Sequence, residues 1–185
     1  MESKLICIMG APSSGKSTLA SDVHTELKKK GLNSIFIPEA ATDYIAECGA
    51  PDQPIDQLVI FYKQLNREKM YLGTKDYIIC DSSSLLNYFY FRQNFDKFLT
   101  NKDISTINHL QKEILISLCQ WSYIFYVPSM PDYKEDGIRF QDKEMADKID
   151  RWIKSYLEME NISHVDLSKI DLKKRTDSIL RTIIS

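Results

Sequence analysis

The apolar run Leu5-Ile6-Cys7-Ile8-Met9 passes directly into Gly10-Ala11-Pro12-Ser13-Ser14-Gly15-Lys16-Ser17, with Thr18 next. The second segment fits G-x-x-x-x-G-K-[ST] at every fixed position, and a helical pattern begins at Lys16. An unbroken apolar run suits a strand buried on both faces, and a strand–glycine loop–helix order belongs to a parallel α/β sheet. The two glycines let the backbone wrap closely, so that successive N–H groups converge on an anion at the helix N-terminus. Lys16 then adds a positive charge for the β- and γ-phosphates, and the Ser17 hydroxyl suits magnesium. Residues 10–18 are therefore expected to bind a nucleoside triphosphate, with ATP as the default.

The rest of the chain continues the alternation. A helix is expected from about Lys16 to Lys30, with Leu19, Val23 and Leu27 on one stripe and Gly31 beyond its end. Ser34–Ile37 reads as a second strand, followed by a helix over Ala40–Cys48 and a longer one from Pro54 to about Tyr71. Tyr77–Cys80, closed by Asp81, reads as the third strand, and Tyr123–Val127 as the fourth. Helices are expected at about 105–121 and 142–160, a fifth strand at His164–Leu167, and a last helix after it. A polar stretch with two prolines and a glycine separates the fourth strand from the next helix. No repeat or linker divides the pattern. It predicts a single P-loop domain over residues 1–185, a five-stranded parallel sheet in order 2-3-1-4-5 flanked by helices, with a lid at about 128–142.

Composition removes several alternatives. Twenty-four basic and twenty-six acidic residues leave a net charge of -2 over 185 residues, which disfavours a dedicated nucleic-acid binder. With 43% hydrophobic residues the chain is expected to fold rather than stay disordered. No run approaches the length needed to span a membrane, and the N-terminus does not read as a signal peptide. The four cysteines, Cys7, Cys48, Cys80 and Cys119, form no C-x-x-C pair. Cys7 and Cys80 lie in apolar runs and read as small core residues. Reduced thiols without an export signal point to a cytoplasmic protein. Monomer and homodimer both remain open.

Several polar residues stand where chemistry would need them. Asp81 ends the third strand beside the phosphate loop. It is a second magnesium anchor with Ser17, a base for an acceptor hydroxyl, or a cap for the following helix. Glu39, just past the second strand, orients or deprotonates an acceptor hydroxyl, or places charge favourably at a helix start. Asp43 and Tyr44 follow on that helix, with Tyr44 equally suited to the core. Arg139, flanked by Asp136 and Asp142, would neutralise charge on the transferred group from the lid. Arg92 is an acceptor contact or a surface residue. Tyr88, Phe89, Tyr90, Phe91, Phe95 and Phe98 form core more readily than a stacking surface for bases. Lys28-Lys29-Lys30 reads as a solvated helix end, His109 and His164 have no partners that imply catalysis, and Ser82–Ser84 read as turn residues.

The chain resembles the P-loop kinase-like family that includes the ribosylnicotinamide kinase domain of bifunctional NAD-synthesis proteins. The resemblance rests on four blocks in order: the phosphate loop, Pro38-Glu39-Ala40-Ala41-Thr42-Asp43-Tyr44-Ile45, Asp81, and Asp136-Gly137-Ile138-Arg139. It departs where the family has an arginine and this chain has Thr42. It departs again where serines, Ser82 and Ser83, follow Asp81. The resemblance implies ATP- and magnesium-dependent phosphoryl transfer to a hydroxyl of a nucleoside-like small molecule. Lys16, Asp81, Arg139 and Glu39 would be the acting side chains. Similar phage proteins imply a second acceptor, a hydroxymethylated pyrimidine in DNA. A nucleotide-binding switch module is the third reading.

Overall fold

A computed structural model describes residues 2–95, 101–118, 120–129 and 143–184. Its element order is β1 (Lys4–Gly10), α1 (Lys16–Lys29), β2 (Ser34–Ile37), α2 (Ala40–Cys48), α3 (Pro54–Lys69), β3 (Tyr77–Asp81) and α4 (Ser84–Phe95). It continues with α5 (Asn101–Leu118), β4 (Tyr123–Val127), α6 (Lys143–Met159), β5 (Val165–Asp166) and α7 (Leu172–Ile184). The five strands form one sheet in the expected order, β2-β3-β1-β4-β5, and every pairing is parallel. Residues 130–142, which carry most of the expected lid together with Asp136, Arg139 and Asp142, lie outside the described residues, as do Phe98 and Cys119.

β1 is the central strand, and its alternation divides the core. Leu5, Cys7 and Met9 face a cluster built with Phe61 and Leu65 of α3, Leu85 and Phe89 of α4, Ile114 of α5 and Ile153 of α6. Ile6 and Ile8 face the opposite cluster, which holds Leu19, Val23 and Leu27 of α1 and Ile179, Leu180 and Ile183 of α7. A strand sandwiched in this way has no polar face, which is why its sequence reads as a continuous apolar run. The aromatic stretch is largely core. Tyr88, Phe89 and Phe91 are buried, and Phe89 packs on Trp152 at 4.7 Å between ring centroids.

Element ends differ from the sequence reading for local reasons. α3 stops at Lys69 because the chain turns through Met70–Thr74, with Gly73 at φ +76. α5 ends at Leu118, to whose carbonyl oxygen Trp121 N donates. β5 is only two residues long because it lies at the sheet edge and Ser168 N turns back to Asp166 Oδ1 at 2.7 Å. The lysine run at the end of α1 is exposed, as expected, and Lys29 pairs with Glu26 on the surface.

Leu27 is fully buried between α1 and the sheet, whereas Met159 at the end of α6 is 78% exposed. Leu27→Ala should lower unfolding free energy by about 2–5 kcal/mol, and Met159→Ala should change it by less than about 0.5 kcal/mol. Urea denaturation of both variants checks this, and equal losses would refute the placement of the core.

Candidate functional site

β1 and β3 are hydrogen-bonded neighbours, with Ile8 opposite Asp81, yet their helices leave toward opposite faces of the sheet. α1 packs on the Ile6/Ile8 face and α4 on the Cys7/Met9 face. Such a divergence opens a crevice at the carboxyl ends of the two strands, the place where open α/β sheets take ligands. The loop after β1 and the residue ending β3 are the two walls of that crevice.

The loop's geometry follows from its glycines and serines. Gly15 takes φ +83 at the N-cap of α1, and Ser13 sits at φ +59, a conformation uncommon for a residue with a Cβ. A Cβ on Gly10 would lie 2.5 Å from Val127 O and 2.6 Å from Ser14 Oγ, so only glycine lets the loop lie this close to β4. Lys16 is buried, Ser17 is half-buried, and no acidic residue stands in the first turn of α1. The helix therefore presents an uncompensated positive dipole end toward the loop.

Asp81 is buried at the crevice, and its Oδ1 has no hydrogen-bond partner; Ser14 Oγ and Ser82 Oγ are likewise buried and unpartnered. Buried polar atoms ordinarily have partners, so three orphans on adjoining loops indicate a site built for groups it does not itself supply. A phosphate-bound magnesium ion fits this donor set: oxygen ligands from a carboxylate and hydroxyls, next to a buried lysine and a helix N-terminus. Of the three readings of Asp81, the capping one is displaced. The amide at the head of α4, Ser84 N, donates instead to Glu68 Oε1 at 2.8 Å.

Glu68 was not singled out from the sequence. It is fully buried on α3, where it also accepts from Ser84 Oγ and Ser117 Oγ at 3.4 and 3.3 Å. Burial pushes its carboxyl up to about 7, against the opposing effect of those hydrogen bonds. The legible signal was its register: Phe61, Leu65 and Glu68 fall on one helical stripe, and a carboxylate there must enter the core. Ser82, at φ +74, is held by donating its amide to Ile8 O at 2.9 Å and accepting from Cys7 Sγ at 3.5 Å. The three serines after Asp81 are thus buried and fixed, not a loose surface turn.

On the neighbouring strand end, Glu39 occupies the N-cap position of α2 but makes no side-chain capping bond. Ala40 N donates to Gln64 Oε1 of α3 at 2.8 Å, inside the protein. Thr42 is exposed, and a cation reaches this rim from elsewhere: Arg67 donates to Asp43 at 2.6 Å and to Pro38 O at 3.4 Å. Asp43 is therefore paired. Tyr44 is buried and donates to Asp56 at 2.7 Å, a bond that pushes its phenol up to about 12. Both residues tie α2 to α3. Arg92 donates to Tyr88 Oη at 3.4 Å, His109 is exposed, and His164 meets Ile162 O. Beyond β4, Ser129 N donates to Asp150 of α6 at 3.1 Å, anchoring the start of the following loop.

Two consequences are measurable. Gly10→Ala should cost about 1–3 kcal/mol, because the new methyl meets a backbone carbonyl that cannot rotate away; an unchanged melting temperature would contradict the close approach. For Glu68, the folded protein holds the proton more tightly than the unfolded chain does. Its ionisation therefore subtracts stability progressively from pH 4.5 to about 7 and fully above that. Glu68→Gln removes this slope. Relative to the parent, the variant should gain up to roughly 3 kcal/mol between pH 5 and pH 8, read from urea midpoints; parallel pH dependences would refute it.

The sequence family described as AAA domain (AAA_28) matches residues 5–175. No curated protein matches the chain. Among solved structures, deoxyadenosine kinase from M. mycoides with bound dATP is similar in fold, with a TM-score of 0.58 at 13% identity, over 97% of this chain and 99% of that one. The likeness is one of fold, and the chain belongs to the AAA domain family.

Proposed function

We propose that this protein transfers the γ-phosphoryl group of ATP to a hydroxyl of a nucleoside-like small molecule. The observation that carries the reading is the pairing of a phosphate loop with a buried, unpartnered carboxylate oxygen at Asp81 across one crevice. The likeness in fold to a deoxyadenosine kinase supports it. Residues 10–18 hold the phosphates, and Lys16 balances charge on the β- and γ-groups. Ser17 and Asp81 hold magnesium, which when bound supplies further charge neutralisation at the transferred group. The acceptor oxygen attacks the γ-phosphorus as the bond to the β–γ bridging oxygen breaks, releasing ADP. The hydroxyl proton passes to a carboxylate on this rim, Glu39 or, where it does not hold the ion, Asp81. Arg139, in the segment joining β4 to α6, neutralises charge during transfer. The requirement is positioning rather than covalent help.

Buried serines follow Asp81, where a water-activating switch would carry a glutamine or glutamate. Burial of Tyr88, Phe89 and Phe91 leaves those rings no role in stacking a base from DNA.

The test is transfer of labelled γ-phosphate from magnesium ATP to a panel of nucleosides, nicotinamide riboside, nucleoside monophosphates, and DNA with and without hydroxymethylpyrimidine. Label should appear on a small acceptor, fall below detection in Lys16→Ala, and fall about 100-fold in Asp81→Asn. Arg139→Ala should lower kcat more than ATP affinity. Label on DNA alone would move the acceptor class, and acceptor-independent phosphate release would indicate a switch module.

A further inference from the structure

Two of the buried polar side chains of α3 hold the heads of other helices and remain outside this mechanism. Gln64 and Glu68 stand four residues apart, on one face of the helix, with about 6 Å of rise between them. Gln64 Oε1 takes the amide of Ala40, the residue after Glu39. Glu68 Oε1 takes the amide of Ser84, three residues after Asp81. Each bond satisfies a donor at the head of a helix, α2 or α4, that directly follows a candidate carboxylate. A buried carboxylate is costly to keep in a core, so its retention calls for a role other than stability.

We propose that Gln64 and Glu68 are positioning residues, which through the heads of α2 and α4 fix the separation of Glu39 and Asp81 and so set the acceptor side of the site. α3 is the rigid spacer: both loops hang from one turn of one helix. Ser82, in its left-handed conformation, is clamped on one side by β1 and on the other by the Glu68–Ser84 bond. Without Glu68 the second clamp is lost and Asp81 is free to shift. The kinetic part rests on the phosphoryl-transfer reading; the structural part does not.

The experiment combines hydrogen exchange with steady-state kinetics on the full chain, using magnesium ATP and adenosine. Glu68→Ala should accelerate amide exchange in residues 82–86 about tenfold or more and leave 38–44 unchanged. It should lower kcat about 10- to 100-fold with the KM for ATP within about threefold. Glu68→Gln, which keeps an acceptor for Ser84 N, should restore both. Gln64→Met should give the mirror pattern, with faster exchange in 38–44 only, and it carries the test alone if Glu68→Ala does not fold. Unchanged exchange in Gln64→Met, or in a folded Glu68→Ala, overturns the proposal, as does failure of Glu68→Gln to rescue. A parent protein that transfers nothing to adenosine refutes that acceptor, and the exchange pattern then decides the positioning role by itself.

Discussion

Everything at the crevice depends on the two ladders of β1. It is hydrogen-bonded to β3 on one side and β4 on the other, and its own residues fill both halves of the core. The ladder to β3 sets Ile8 opposite Asp81 and continues one step further through Ser82 N to Ile8 O. The ladder to β4 sets Gly10 opposite Val127, where only hydrogen fits between the loop and the carbonyl. The phosphate loop is therefore held between fixed backbones, and its amides are in place before any ligand arrives. Preorganisation of this kind is what makes electrostatic stabilisation effective, since no reorientation is needed at the moment of reaction.

The rim that carries Glu39 and Asp81 is built differently. Around Glu39 and Asp81 the backbone is held by side chains of α3, Gln64, Arg67 and Glu68, which reach Ala40, Pro38 and Ser84 respectively. A side-chain tether is easier to alter than a sheet ladder, because one substitution changes it without disturbing the strands. The phosphate-loop side of the crevice and the rim opposite it thus differ in how readily their shape can change.

The sheet, its strand order and the phosphate loop were legible because each rests on local pattern. Apolar runs of strand length, a helix stripe at Leu19, Val23 and Leu27, and a glycine motif between them specify one another within thirty residues. Asp81 was legible from its place at the end of β3. For Glu68 the helical stripe signalled burial but not its role, because its partners Ser84 and Ser117 lie 16 and 49 residues away and meet it only after α3, α4 and α5 pack. The capping role weighed for Asp81 failed for the same reason: a partner distant in sequence took the amide. Arg67 escaped notice likewise, since its contact with Asp43 spans 24 residues. Burial of the aromatic stretch followed its spacing, and Trp152 of α6 completes that cluster.

The half of the core beneath α1 is completed by α7, whose Ile179, Leu180 and Ile183 pack against Leu19, Val23 and Leu27 through the sheet's Ile6/Ile8 face. Lys4 Nζ also donates to Ile183 O at 2.7 Å, joining positions 179 residues apart. During vectorial synthesis the β1–α1 unit consequently waits for α7, and its apolar face stays open until residue 183 has left the ribosome. The phosphate loop is made well before the helix that completes its half of the core.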